Sequence, residues 1–161
     1  MALRNIVEKG DAALSKVCRP VTEIKERLHT RLDDMHETVN AANGAGLAAP
    51  QVGVLRRIAL AITDNGDFVE LINPEIVATS GEQEGIEGCL SVPGVYGFVT
   101  RPNCVTVKAV DRNGKPFTIE GHELSARAFC HEIEHLDGHL FTEKVSQFLT
   151  EEELEELYAE E

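Results

Sequence analysis

His131-Glu132-Ile133-Glu134-His135 is the stretch that decides how this chain is read. In a helix, residues four apart lie one turn apart on one face, so the two imidazoles point together while Glu132 stands about 100° round from His131. Two His and a neighbouring carboxylate in this arrangement can hold a divalent metal and activate water beside a base. The helix expected to carry them runs from about His122 to Leu136. It sets Leu124, Ala128, His131 and His135 along one stripe and Phe129 and Ile133 on the opposite one, so it is apolar on two sides and central to the fold. Gly138 supplies its C-terminal stop.

Working outward towards the N-terminus, Ile24, Leu28, Leu32, Met35, Val39 and Ala42 recur at spacings of three and four, which predicts an amphipathic helix over 23–42 closed by Asn43-Gly44. Gly44-Ala45-Gly46-Leu47-Ala48-Ala49-Pro50-Gln51 reads as a loop whose small residues let backbone come close to another group. Strands are expected over 58–62, 68–72 and 75–79, with a break at Asn73-Pro74. A hairpin is expected from Val105 to Ile119, turning at Asn113-Gly114. Glu87 to Gly94 reads as a Gly- and Pro-rich bend holding Cys89.

Towards the C-terminus, Thr150 and Glu153 form a capping box, Leu149 can staple Leu154, and Leu154, Leu157 and Tyr158 would dock the resulting acidic helix of 150–161 on the body. The expected architecture is a single α+β domain over 1–161: mixed or antiparallel strands around a central helix bearing the two His, an N-terminal amphipathic helix and a C-terminal helix.

Composition narrows the class further. A chain of 161 residues with 42% hydrophobic content suits one domain with a sizeable core. Its net charge of −13, to which seven glutamates after Thr150 contribute, argues against nucleic-acid or anionic-membrane partners, and the Glu-rich end reads as a solvated helix face. No apolar signal-peptide core and no membrane-length apolar run is present, so a soluble cytoplasmic protein is expected. Cys18, Cys89, Cys104 and Cys130 are irregularly spaced, which predicts reduced thiols.

A catalytic divalent site usually takes three protein ligands. A third His six residues after His135 would complete one familiar pattern, but that position is Phe141. Glu155 or Glu156 could serve from the acidic run; Cys130 points about 100° away from His131 and reads as a packed residue. Cys89 is the upstream candidate, a thiolate suited to Zn or Fe(II). These residues by themselves leave the third ligand open.

Gly44 to Gln51, Glu87-Gly88-Cys89-Leu90-Ser91 and His131 to Gly138 resemble, in order and spacing, the three motifs of peptide deformylases. Asn73-Pro74, Val92-Pro93-Gly94, Arg101 and Asp111 to Phe117 extend the likeness to about Val145. The resemblance implies removal of formyl from the N-terminal formyl-methionine of nascent polypeptides, with release of formate. By it, Cys89, His131 and His135 hold one divalent metal, typically Fe(II), with Zn, Ni or Co able to occupy the site. It also makes Glu132 the base that takes a proton from the attacking water and returns it to the leaving amine, with the Gln51 amide and the Leu90 backbone N–H donating to the developing oxyanion.

Gly44 and Gly46 would let the substrate backbone pair in an extended manner, and Leu124 and Ala128 are candidates to line the methionine pocket, with Arg127 nearby. Glu134 and Cys130 stand where the family commonly has Asp and Gln, which predicts altered support of the metal residues rather than lost activity. The acidic tail is not expected to bind the ribosome stably. A small metallopeptidase and a non-catalytic metal-binding or redox-sensing relative are the alternatives, and the oligomeric state is not legible.

Overall fold

Ile58-Ala59-Leu60-Ala61-Ile62 is apolar on both sides of its strand, which requires a covering layer on each face. In the computed structural model, which describes residues 2–159, helices α1 (Glu26–Ala41) and α2 (Leu124–Leu136) supply those layers. Ile58 and Leu60 cluster with Leu28, Leu32, Met35 and Val39 of α1. Ala61 clusters with Phe129, Cys130 and Ile133 of α2, together with Leu71, Val105 and Val107. The small Ala59 and Ala61 side chains are what let α2 lie close to the sheet. Leu32, Met35 and Val39 are fully buried, and each such side chain contributes about 1.5–3 kcal/mol.

The main sheet is antiparallel, with β1 (Gly46–Ala48), β2 (Ile58–Ile62), β3 (Phe68–Ser80), β6 (Cys104–Val110) and β7 (Pro116–His122) in the order β1-β2-β3-β6-β7. A second antiparallel sheet runs β4-β5-β8, from β4 (Gln83–Cys89), β5 (Val92–Arg101) and β8 (Val145–Leu149). Val105, Val107 and Ala109 face the core while Lys108 is exposed, and the β6–β7 hairpin turns through Asn113-Gly114 with Asp111 Oδ1 accepting from the Asn113 and Lys115 N–H groups. The expected α+β architecture around a helix bearing both His is therefore present.

Several boundaries differ from expectation. Helix α1 starts at Glu26, after Lys25 in an extended conformation. Gly46–Ala48 is a strand rather than a loop, because its backbone finds partners in Ala59, Leu60 and Ala61. The strands expected over 68–72 and 75–79 are one strand: Asn73 takes a positive φ of 52° and a register shift absorbs the Asn73-Pro74 step. The Asn73 side chain is tied at both ends to the Val21 backbone, which holds that conformation. The Glu87 to Gly94 bend is the end of β4, a Leu90-Ser91 turn and the start of β5, and β8 was not anticipated.

At the C-terminus the Thr150–Glu153 capping box forms, opening α3 (Glu151–Ala159). The expected docking by Leu157 and Tyr158 does not occur, and both are exposed. A nine-residue helix with three glutamates in its first turn presents too narrow an apolar stripe to bury a residue, and none in α3 is buried. Residues 160 and 161 of the expected acidic helix lie outside the described residues.

Candidate metal centre and active-site cleft

Helix α2 places His131 and His135 one turn apart, with ring centroids 5.0 Å from each other. Facing them is Cys89, the last residue of β4, where a register shift between Glu87 and Cys89 turns the thiol off the regular ladder. Cys89 Sγ lies 3.3 Å from His135 Nε2, and one ligand atom from each of Cys89, His131 and His135 falls within 4.8 Å of the others. Donors arranged tetrahedrally around a first-row divalent ion are about 3.5 Å apart, so this set fits such an ion with a coordination position to spare.

The protonation state of His135 agrees with that use. Burial, reinforced by the neighbouring His131, pushes the His135 pKa down to about 3, leaving a neutral imidazole with a lone pair to donate. His131 Nδ1 meets Glu87 Oε1 at 3.1 Å, which orients the ring with Nε2 towards the cluster. Glu87 in turn receives Nε and a terminal nitrogen of Arg101, both at 2.9 Å, and lies 2.7 Å from Arg127. Burial would raise its pKa, but the hydrogen bonds from Arg101 and His131 outweigh it and hold the carboxyl at about 2.

Glu132 is buried beside the ligands without belonging to the set. Burial pushes its pKa up to about 7, the range a general base and acid needs near neutral pH. Its Oε1 has no hydrogen-bond partner among the described residues, so one acceptor is free for a substrate or water proton. Gln51, in the 3-10 turn after β1, is also buried; its Oε1 accepts from the Ala48 N–H at 2.9 Å, while Nε2 donates to Ser91 Oγ at 3.0 Å and approaches Cys89 Sγ at 3.6 Å. The amide is thus anchored by the Ala48 N–H and Ser91, with its nitrogen beside Cys89 of the candidate ligand set.

A family model described as polypeptide deformylase matches residues 3–151. A peptide deformylase of Acetivibrio thermocellus is 59% identical over 156 residues, covering 96% of this chain and 91% of that one. Peptide deformylase 1 of Bacillus subtilis is 48% identical over 158 residues, covering 98% and 99%. Among solved structures, a peptide deformylase from Legionella pneumophila aligns with a TM-score of 0.86 at 46% identity, over 90% of this chain and 87% of that one. This chain belongs to the polypeptide deformylase family. It is accordingly a hydrolase of a metal-dependent family, and its own side chains form a candidate metal-binding group.

The deformylase cleft, about 420 Å³, is lined by Gly44 and Gly46, by Gln51, Cys89 and Leu90, and by His131 and Glu132. Leu124 and Ala128 both reach it, the former exposed at the mouth and the latter buried deeper. Arg127, next to Ala128, is turned inward to the carbonyls of Gly85 and Val99, so its charge is spent on backbone and Glu87. Gly46 is required by space: an added Cβ would come within 2.5 Å of Glu132 Oε2 and 2.8 Å of the Leu60 carbonyl.

Residue-by-residue reading missed Ser91, which fixes Gln51, and the role of Glu87 and Arg101. Their signal was the motif neighbourhood of Cys89 and a lone Arg far along the chain; no periodicity marks them. Glu134 uses one oxygen to hold Arg101 at 2.7 Å and Lys144 at 2.8 Å, so the position flagged as a departure supports the same buried network. Cys130 is packed in the core as expected. No helix among the described residues is long and apolar enough to cross a membrane.

Proposed function

We propose that this chain hydrolyses the formyl group from N-terminal formyl-methionine of nascent polypeptides, releasing formate. The observation that carries the reading is Cys89 from a strand end converging on His131 and His135, with buried Glu132 beside them and outside the ligand set. Cys89, His131 and His135 would hold one divalent ion, Fe(II) by preference with Zn, Ni or Co as alternatives, and such an ion supplies Lewis acidity that lowers the pKa of water towards neutrality.

The chain's own groups do the rest. Glu132 accepts a proton from water as its oxygen adds to the formyl carbon, then delivers that proton to the amine as the C–N bond breaks. The Gln51 amide and Leu90 N–H donate to the oxyanion, each worth about 3 kcal/mol of barrier reduction. The peptide lies extended in the cleft, where β1 and β4 are edge strands of their two sheets and Gly44 and Gly46 admit a close backbone, so recognition depends on main chain rather than sequence. The methionine side chain sits towards Leu124 and Ala128. The enzyme works as one domain over 1–161 in the cytoplasm, without nucleic-acid, membrane or stable ribosome contacts through its acidic tail.

The test is formate release from a formyl-Met peptide by anaerobically purified protein. Wild type should turn over, Glu132→Ala should keep its metal and lose activity, and blocked internal peptides should stay intact, which separates this reading from a metallopeptidase. No turnover by wild type loaded with Fe(II) or Ni(II) would refute it.

A further inference from the structure

A second set of metal-ligating side chains lies outside the deformylase cleft, where β6 begins and β7 ends. Cys104 and His122 are direct cross-strand partners, and Glu120, two residues before His122, shares its face of the sheet. Cys104 Sγ is 3.1 Å from Glu120 Oε1, His122 Nε2 is 3.0 Å from the same oxygen, and ligand atoms of all three lie within 4.8 Å of one another. The imidazole is oriented from behind: Asp64, in the turn between β2 and β3, meets His122 Nδ1 at 2.8 Å with one oxygen and accepts the His122 backbone N–H at 2.9 Å with the other. A carboxylate on the far nitrogen of a His is the usual support for a metal-binding imidazole.

Charge points the same way. Among the described residues, neither Asp64 nor Glu120 forms an ion pair with a Lys or Arg; His122 is the partner of both. Two carboxylates and a thiol sharing one imidazole make a site whose natural complement is a cation. A ligand set of sulfur, nitrogen and oxygen selects a borderline-soft ion such as Zn(II) over Ca(II) or Mg(II), which take oxygen ligands. Half-exposed Glu120 and His122 leave a path for the ion and room for water as a fourth ligand.

We propose that Cys104, Glu120 and His122 form a second divalent-cation site, of the Zn(II) class, with Asp64 holding His122 in place. The ion joins both strands of the β6–β7 hairpin and, through Asp64, the β2–β3 turn. All of this lies immediately before α2, so it braces the start of the helix that carries the catalytic residues.

The test uses reduced, Zn(II)-loaded full-length protein dialysed to equilibrium against zinc, with bound metal counted by plasma emission. Wild type should hold one zinc more than Cys104→Ser or His122→Ala, while Cys104→Ser releases formate at the wild-type rate. Asp64→Asn should weaken the additional site by about 10- to 100-fold in a zinc titration. With Co(II), a thiolate-to-cobalt absorption band should remain in Cys89→Ala and vanish when Cys104→Ser is added. Equal zinc content in wild type and Cys104→Ser, or no cobalt–thiolate band in Cys89→Ala, would overturn the proposal.

Discussion

Replacing Gly46 with Ala probes how tightly the cleft is built around Glu132. The new Cβ would stand 2.5 Å from Glu132 Oε2 and 2.8 Å from the Leu60 carbonyl oxygen. Leu60 is part of the β1–β2 ladder and cannot retreat without disturbing the pairing, so most of the adjustment falls on the carboxylate. Restoring van der Waals separation moves Glu132 by about 1 Å. A displacement of that size at a reacting group costs about 100-fold in rate, or about 2.7 kcal/mol in the barrier.

Overpacking adds a stability loss of about 1–3 kcal/mol, which the fold should survive. The metal should remain, because the three atoms nearest a Cβ at 46 belong to Glu132 and Leu60, neither of which is a candidate ligand. The assay is kcat for formate release on metal-loaded protein, with metal content and Tm measured alongside. Gly44→Ala is the comparison: the atoms nearest its Cβ would be Leu90 Cδ1 at 2.9 Å, Val39 Cγ2 at 3.1 Å and the Gly46 carbonyl oxygen at 3.3 Å, with Glu132 not among them, so the kcat loss should be smaller. A Gly46→Ala enzyme with full metal and kcat within about threefold of wild type would refute the spatial reasoning.

Glu87→Gln should remove the charge that joins Arg101, Arg127 and His131, destabilising the protein in urea by about 3–5 kcal/mol and weakening metal retention by about 10- to 100-fold. Gln51→Ala should keep the metal and lower kcat by about 100- to 1,000-fold, read from formate release at saturating substrate. Glu70 gives a pH signature: although burial would raise its pKa, Arg112 and His36 hold it below the usual 4.5. Its stabilisation is therefore present above the unfolded value and is lost as pH falls through the lower native one, so the gap in urea midpoint between wild type and Glu70→Gln should narrow as pH drops below 4.5. A gap that stays constant or widens on acidification would contradict the assignment.

Local pattern carried a large part of the fold. The three- and four-residue spacing of Leu28, Leu32, Met35 and Val39 marks α1 because one side of a helix must meet the core, and these residues do. The alternation around Val107 and the Asn113-Gly114 turn marks the β6–β7 hairpin for a similar reason. The same logic failed at Gly46–Ala48, where small residues read as a loop until β2 supplied the ladder that makes a strand. It failed again at α3, where a helical repeat could be read but not whether any surface lay beneath Leu157 and Tyr158.

For the site, the spacing of His131, Glu132 and His135 was sufficient to predict two imidazoles on one helical face with a carboxylate beside them, since helical periodicity alone aligns them. By themselves these residues left the third ligand open, and the family resemblance pointed to Cys89. Its thiol reaches His135 across 46 residues of sequence, through a register shift in β4 that no local pattern encodes. Glu87, Arg101 and Ser91 belong to the same category: each acts through one long-range contact, and periodicity reports only the burial of the element that carries it. The sequence by itself therefore determined which residues could perform the chemistry, whereas packing of the two sheets against α2 decided which of them meet.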